Sequence, residues 1–111
     1  MQLWEIRDIL EAEVLSGEEH LKKEVNAAYS SDLMSDVLAF VENQSVLLTG
    51  LVNLQVIRTA EMMDICCVII VRGKMPDEQL IKLAEEKEIV LMTTKHTMYS
   101  ACGRLYSKGL F

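Results

Sequence analysis

Ile65-Cys66-Cys67-Val68-Ile69-Ile70-Val71 is the most strongly apolar run of the chain, and its reading decides the fold. A strand that is apolar without interruption, instead of on alternate residues, is covered on both faces and sits centrally in its sheet. Just before it, Asn53 can cap a helix in which Leu54 or Val56, Ile57, Ala60 and Met63 recur at helical spacing. Before that helix, Ser45 to Gly50 reads as a strand closed by glycine. On the other side, Met75-Pro76-Asp77-Glu78 opens a helix with proline in the first turn and acids at the positive end of its dipole. Leu80, Ile81, Leu83 and Ala84 form its apolar stripe. Ile89 to Thr93 is a further strand. Thr94 or Thr97 can cap a last helix that runs to about Ser107 and stops at Gly109.

The first 44 residues are less regular. Leu3, Ile6, Ile9 and Leu10 mark a helix, followed by strand candidates at Glu13 to Ser16 and Val25 to Tyr29. Ser31 or Asp32 can then cap a helix carrying Leu33, Met34, Val37, Leu38 and Val41. Strands alternating with helices predict βαβ units with parallel pairing and right-handed connections. The expected fold class is α/β: a three-layer α/β/α sandwich around a mainly parallel sheet of about five strands. A chain of 111 residues fits one such domain, spanning 1–111.

Composition narrows the function classes. Half of the residues are apolar and 25% are charged, as in a folded globule. No apolar run nears the roughly 18 residues that cross a bilayer, and the Met-Gln-Leu-Trp-Glu start lacks a secretion signal, which points to the cytoplasm and away from membranes. Of the net charge of −6, residues 1–44 contribute 10 acids and 3 bases, and residues 45–111 contribute 7 acids and 8 bases. Without a basic stripe to displace counterions, nucleic acid is not an expected partner. The acidic part is a solvated face or a guide for a basic protein. Cys66, Cys67 and Cys102 follow neither redox nor zinc spacing, and strand neighbours point to opposite faces. They read as small buried hydrophobes in a reducing compartment, with no metal and no cofactor. His20 and His96 read as surface residues, Arg58 as a surface partner of Glu61 or Asp64, and Met62, Met63 and Met98 as core filling.

Parallel sheets bind ligands beyond the carboxyl ends of their strands. Here that rule collects Ser30, Ser31 and Asp32, then Thr49 and Gly50, then Arg72 and Gly73, and finally Thr93 and Thr94. Hydroxyls, one guanidinium and unpaired helix N-terminal N–H groups would suit a small anionic metabolite or nucleotide. The plainer reading of the same residues is that Ser31, Asp32 and Thr94 cap helices while the glycines make turns. Neither a phosphate-binding loop nor a dinucleotide fingerprint occurs, and no nucleophile has an evident base, so no enzyme is expected. A mean hydropathy of +0.19 is high for so small a chain and suggests a homodimer that covers part of it.

Ser31-Asp32-Leu33-Met34-Ser35-Asp36-Val37-Leu38-Ala39, Leu47-Leu48-Thr49-Gly50-Leu51 with Asn53 to Asp64, Val71-Arg72-Gly73-Lys74-Met75-Pro76-Asp77 and Ala101-Cys102-Gly103-Arg104-Leu105-Tyr106 together resemble a stand-alone DRTGG domain. The resemblance covers nearly the whole chain and implies an α/β fold related to the N-terminal domain of HPr kinase/phosphorylase. It also implies a regulatory module whose relatives occur in phosphotransacetylases and beside CBS domains in some pyrophosphatases. The name-giving Asp-Arg and Thr-Gly-Gly are altered: Val52-Asn53 stands near the first, and Val71-Arg72-Gly73 replaces the second. The resulting expectation is a non-catalytic, dimeric sensor of an anionic metabolite or nucleotide. A protein-interaction subunit without a small ligand is the alternative.

Overall fold

A computed structural model describes residues 1–111. Its elements run α1 (Leu3–Leu10), β1 (Glu13–Ser16), β2 (Ala27–Ser30), α2 (Met34–Phe40), β3 (Ser45–Thr49), α3 (Leu54–Met62), β4 (Cys67–Ile70), α4 (Glu78–Glu86), β5 (Val90–Thr93) and α5 (Met98–Ser107). A short 3-10 turn at Glu18–His20 follows β1. The five strands form one sheet in the order β1-β5-β4-β3-β2. As the Ile65–Val71 run predicts, β4 is central, and every residue of β3, β4 and β5 is buried.

Adjacent β4 residues face different layers. Cys67 and Ile69 point into a core shared with α1 and α5, whereas Val68 and Ile70 point into one shared with α2, α3 and α4. Both layers are dry, so a one-residue slip would exchange two fitted packings, and the register is strongly specified. Parallel pairing holds from β2 through β5. Three crossovers that advance in one direction with one hand must leave their helices on one face, and α2, α3 and α4 do share a face.

The expectation that all extended segments run the same way fails at β1, which pairs antiparallel with β5 and carries an irregularity between Val14 and Ser16. No strand precedes β1, and residues 17–26 lead from it to β2 with no α-helix, so no βαβ unit fixes its direction and it joins the edge in the opposite sense. The sheet is therefore mixed.

Several local readings also change. The helix after β2 starts from Leu33, with neither Ser31 nor Asp32 as its cap. The next starts from Asn53 without a side-chain cap bond. Asp77 caps α4 by accepting the Leu80 N–H at 3.0 Å, which places Pro76 ahead of the cap and outside the first turn. Thr97 and not Thr94 caps α5, accepting the Ser100 N–H at 3.2 Å. Met62 is 73% exposed, not core, and Glu61 pairs with Lys87 at 3.1 Å, leaving Arg58 without a carboxylate in reach. Cys66 lies ahead of β4 and packs against the same core as Cys67, so strand alternation does not separate them.

Burial pushes the Cys67 thiol well above its ordinary value, and the neighbouring Cys66 adds to the rise. Burial also raises Cys66, with Lys23 pulling the other way. Neither is a ready nucleophile. No helix is long and apolar enough to cross a membrane.

Candidate functional site

Parallel pairing brings the carboxyl ends of β2, β3, β4 and β5 to one rim, so Ser30, Thr49, Gly50, Arg72, Gly73, Thr93 and Thr94 do share an edge of the molecule. The rim divides into two halves with different chemistry.

The half over β2 and β3 is closed by Asp32. Its Oδ1 accepts the Gly50 N–H at 2.6 Å and the Thr49 hydroxyl at 3.2 Å, while Oδ2 lies 4.0 Å from Arg72 Nη2. Lys74 Nζ donates to the Gly50 carbonyl at 2.8 Å, and Thr49 Oγ1 accepts the Leu51 N–H at 3.1 Å. A Cβ on Gly50 would stand 2.5 Å from Arg72 Nη2 and 3.3 Å from Asp32 Oδ1, so glycine lets the carboxylate and guanidinium close over the backbone. Ser31 stays apart from this cluster: its hydroxyl accepts the Leu33 N–H at 2.9 Å in a local turn.

The half over β4 and β5 is open. Connections leaving β2 and β3 go to the same face, but the one leaving β4 goes to α4 and the one leaving β5 goes to α5 on the opposite face. Adjacent parallel strands whose connections diverge leave a crevice between them. A cavity of about 360 Å³ lies there, lined by residues that include Gly73, Met75, Thr93, Thr94, Lys95 and His96, with Glu11 from the α1–β1 connection and Glu13 from the start of β1. Its volume is within the usual range for small-molecule sites.

Backbone geometry shapes this crevice. Arg72 and Gly73 both have left-handed φ, 64° and 68°, and the Lys74 N–H returns to the Val71 carbonyl at 3.4 Å, giving a tight turn. The Arg72 and Gly73 N–H groups donate to the carbonyls of His96 and Thr94, both at 2.8 Å, which ties the β4 turn to the β5 exit. Thr93 Oγ1 donates to the Lys74 carbonyl and Thr94 Oγ1 to the Leu10 carbonyl, each at 2.7 Å. The N–H groups expected to be free for an anion are thus occupied at Gly50, Leu51, Arg72 and Gly73. A ligand here must be met by side chains.

Of the eight residues picked out in the sequence, Gly73, Thr93 and Thr94 line the cavity, Asp32, Thr49, Gly50 and Arg72 form the closed half, and Ser31 belongs to neither. Glu11, Glu13, Met75, Lys95 and His96 were not anticipated. His96, expected on the surface, has its side chain only 20% exposed, with Nε2 3.4 Å from Glu11 Oε1. Ser100 Oγ lies 3.5 Å from its Nδ1. Both distances exceed the roughly 2.6–3.2 Å of a nucleophile–base–orienter relay. The Ser100 N–H is already spent on Thr97, so it supplies no oxyanion donor. No three His, Cys, Asp or Glu side chains form a set able to hold a metal ion.

A small α/β module with a mixed five-stranded sheet and a strand-end crevice is the class that this geometry defines. The sequence profile of the DRTGG domain matches residues 5–107, and the chain belongs to that family. No curated protein sequence matches it. Among solved structures it is similar to the CBS and DRTGG domains of the regulatory region of Clostridium perfringens pyrophosphatase, crystallised with the activator diadenosine tetraphosphate. The TM-score is 0.75 at 22% sequence identity, over 98% of this chain and 47% of that one. The two share a fold, and this chain spans about half the length of the other.

Proposed function

We propose that the chain is a non-catalytic regulatory module, working in a reducing, cytoplasmic setting, that binds a small anionic metabolite or nucleotide at the crevice between β4 and β5. The divergence of the connections after these two strands, and the cavity it leaves, carries this reading. The lining favours a nucleotide over bare phosphate. Lys95 and His96, with Arg72 on the adjoining loop, offer positive charge or donors to a phosphate, whereas Glu11 and Glu13 would repel one and instead suit ribose hydroxyls or an exocyclic amine. The nucleotide in the regulatory region of the pyrophosphatase supports the same class of ligand. Free thiols at Cys66, Cys67 and Cys102 suit the compartment. Kinship with the N-terminal domain of HPr kinase, suggested by the sequence, fits a domain that regulates while chemistry happens elsewhere.

Thermal-shift screening with mononucleotides, dinucleotides and phosphorylated metabolites tests the proposal. Saturation at 100 times Kd adds about 2.7 kcal/mol, a shift of several degrees. Lys95→Ala with His96→Ala should abolish it. The reading is wrong if no compound raises Tm, or if the double variant responds like the parent. A second reading, a protein-interaction subunit without a small ligand, is favoured by the exposed Tyr99, Tyr106 and Phe111 on and after α5. Stoichiometric capture of a protein with no small-molecule effect would support it.

A further inference from the structure

The sheet has two edges, and only one is guarded. The outer strand β1 is broken by the irregularity between Val14 and Ser16 and begins with the exposed Glu13, two features that discourage strand addition. At the other edge β2 pairs only with β3, in unbroken register, and its sequence Ala27-Ala28-Tyr29-Ser30 holds no charge and no proline. The Ser31 N–H donates inward to the Leu48 carbonyl, so strand alternation turns the N–H and C=O groups of Ala28 and Ser30 to the free side.

Both helical layers also leave apolar groups beside this edge. On one face Tyr106 and Phe111, 65% and 68% exposed with ring centroids 4.9 Å apart, line a groove that includes Ala28, Tyr29 and Ser30. On the other, Leu33 and Phe40 are 58% and 65% exposed, and their seven-residue spacing puts them on one flank of α2. A right-handed β2-α2-β3 crossover turns that flank away from α3 and over the open edge.

We propose that a second copy of this chain docks here, its β2 pairing antiparallel with the first across a twofold axis to form a ten-stranded sheet. This deepens the dimeric part of the expected function by naming its surface. An antiparallel edge pair is self-complementary, so one patch serves both partners. A chain of net charge −6 repels its own copy, and β2 itself, where the two strands would meet, carries no charged side chain. Three aromatic rings, each about two-thirds exposed and worth on the order of 100 Å² or more, give with Leu33 and the strand roughly the 600 Å² per partner of a small specific interface.

Sedimentation equilibrium of the full chain between about 1 µM and 1 mM tests the proposal. The expected result is a concentration-dependent species of twice 12.6 kDa. Phe40→Glu with Tyr106→Glu should weaken it at least tenfold while retaining the parent's Tm, and Ser30→Pro, which removes one outward N–H, should act in the same direction. Met62→Glu, on α3, should leave it unchanged. A monomer throughout the range overturns the proposal, as does a dimer indifferent to both edge variants. Running each sample with and without nucleotide separates the two readings. A parent chain that stays monomeric yet responds to nucleotide removes only this one, and a dimer with no ligand response removes only the crevice.

Discussion

The two halves of the strand-end rim are built from the same elements, parallel strands followed by polar loops, yet one is sealed and the other open. At β2 and β3 a single carboxylate, Asp32, occupies the space that a ligand would need and satisfies the Gly50 backbone and the Thr49 hydroxyl together. At β4 and β5 the polar groups are spent on joining loop to loop, and the divergence of those loops leaves a cavity. Polar residues at strand ends are therefore no measure of a site. What matters is which side of the sheet each connection takes.

The sharpest test of this contrast is Asp32→Ala. It strips the Gly50 N–H of its acceptor and should cost about 2 kcal/mol, read as a Tm drop on the order of 10 °C, with ligand binding in the open half retained. An unchanged Tm would show that Asp32 does not hold the closed half. Thr94→Val comes next, removing the bond from the floor of the open half to Leu10, for about 1–2 kcal/mol by chemical denaturation. Here both stability and ligand response should fall, because Leu10 and Thr94 both line the cavity.

Alkaline pH acts on the core beneath both halves. The Cys67 pKa is raised in the folded chain above 9.0, so the folded state keeps a proton that the unfolded chain gives up. Its stabilising contribution is full below about pH 9 and falls as pH rises, by up to about 1.4 kcal/mol per unit. Cys67→Ala should flatten that slope; an equal slope in the variant would place the titration elsewhere. The smallest effect on stability is expected from Lys95→Ala with His96→Ala, about 0.5–1 kcal/mol, since Lys95 is exposed and the contacts of the largely buried His96 with Glu11 and Ser100 are both long. A larger loss would mean that the open half, too, is a structural clamp.

The pattern of the parallel part was legible in the chain because uniformly apolar strands and amphipathic helices leave strong local marks, as at Ile65–Val71 and in the Leu80, Ile81, Leu83 and Ala84 stripe. The direction of β1 was not, since four residues with mixed burial carry no sign of which neighbour they join. That one ambiguity hid one wall of the crevice, Leu10, Glu11 and Glu13. Glu11 and Glu13 reach it only because β1 runs antiparallel beside β5, and His96 gains its partner from Glu11, just after α1 and 85 positions away in sequence. Asp32 caps no helix and turns instead to Thr49 and Gly50, a difference the sequence does not mark, since a carboxylate before a helix looks the same whether it turns to its own N-terminus or to a neighbouring strand.

The bond from Thr94 to Leu10 and the pairing of β1 with β5 join the beginning of the chain to its last strand. During synthesis β1 has no partner strand until β5 has emerged, and such distant closure slows folding. In the finished molecule α1 is fastened at its start to residues 21–25 and buries Leu3, Ile6 and Leu10, whereas β1 is a short edge strand broken by an irregularity and is the part of this segment that opens first. Occupancy of the cavity would then act as a bolt across that seam, so amide exchange in β1 would report it before any change in the central strands.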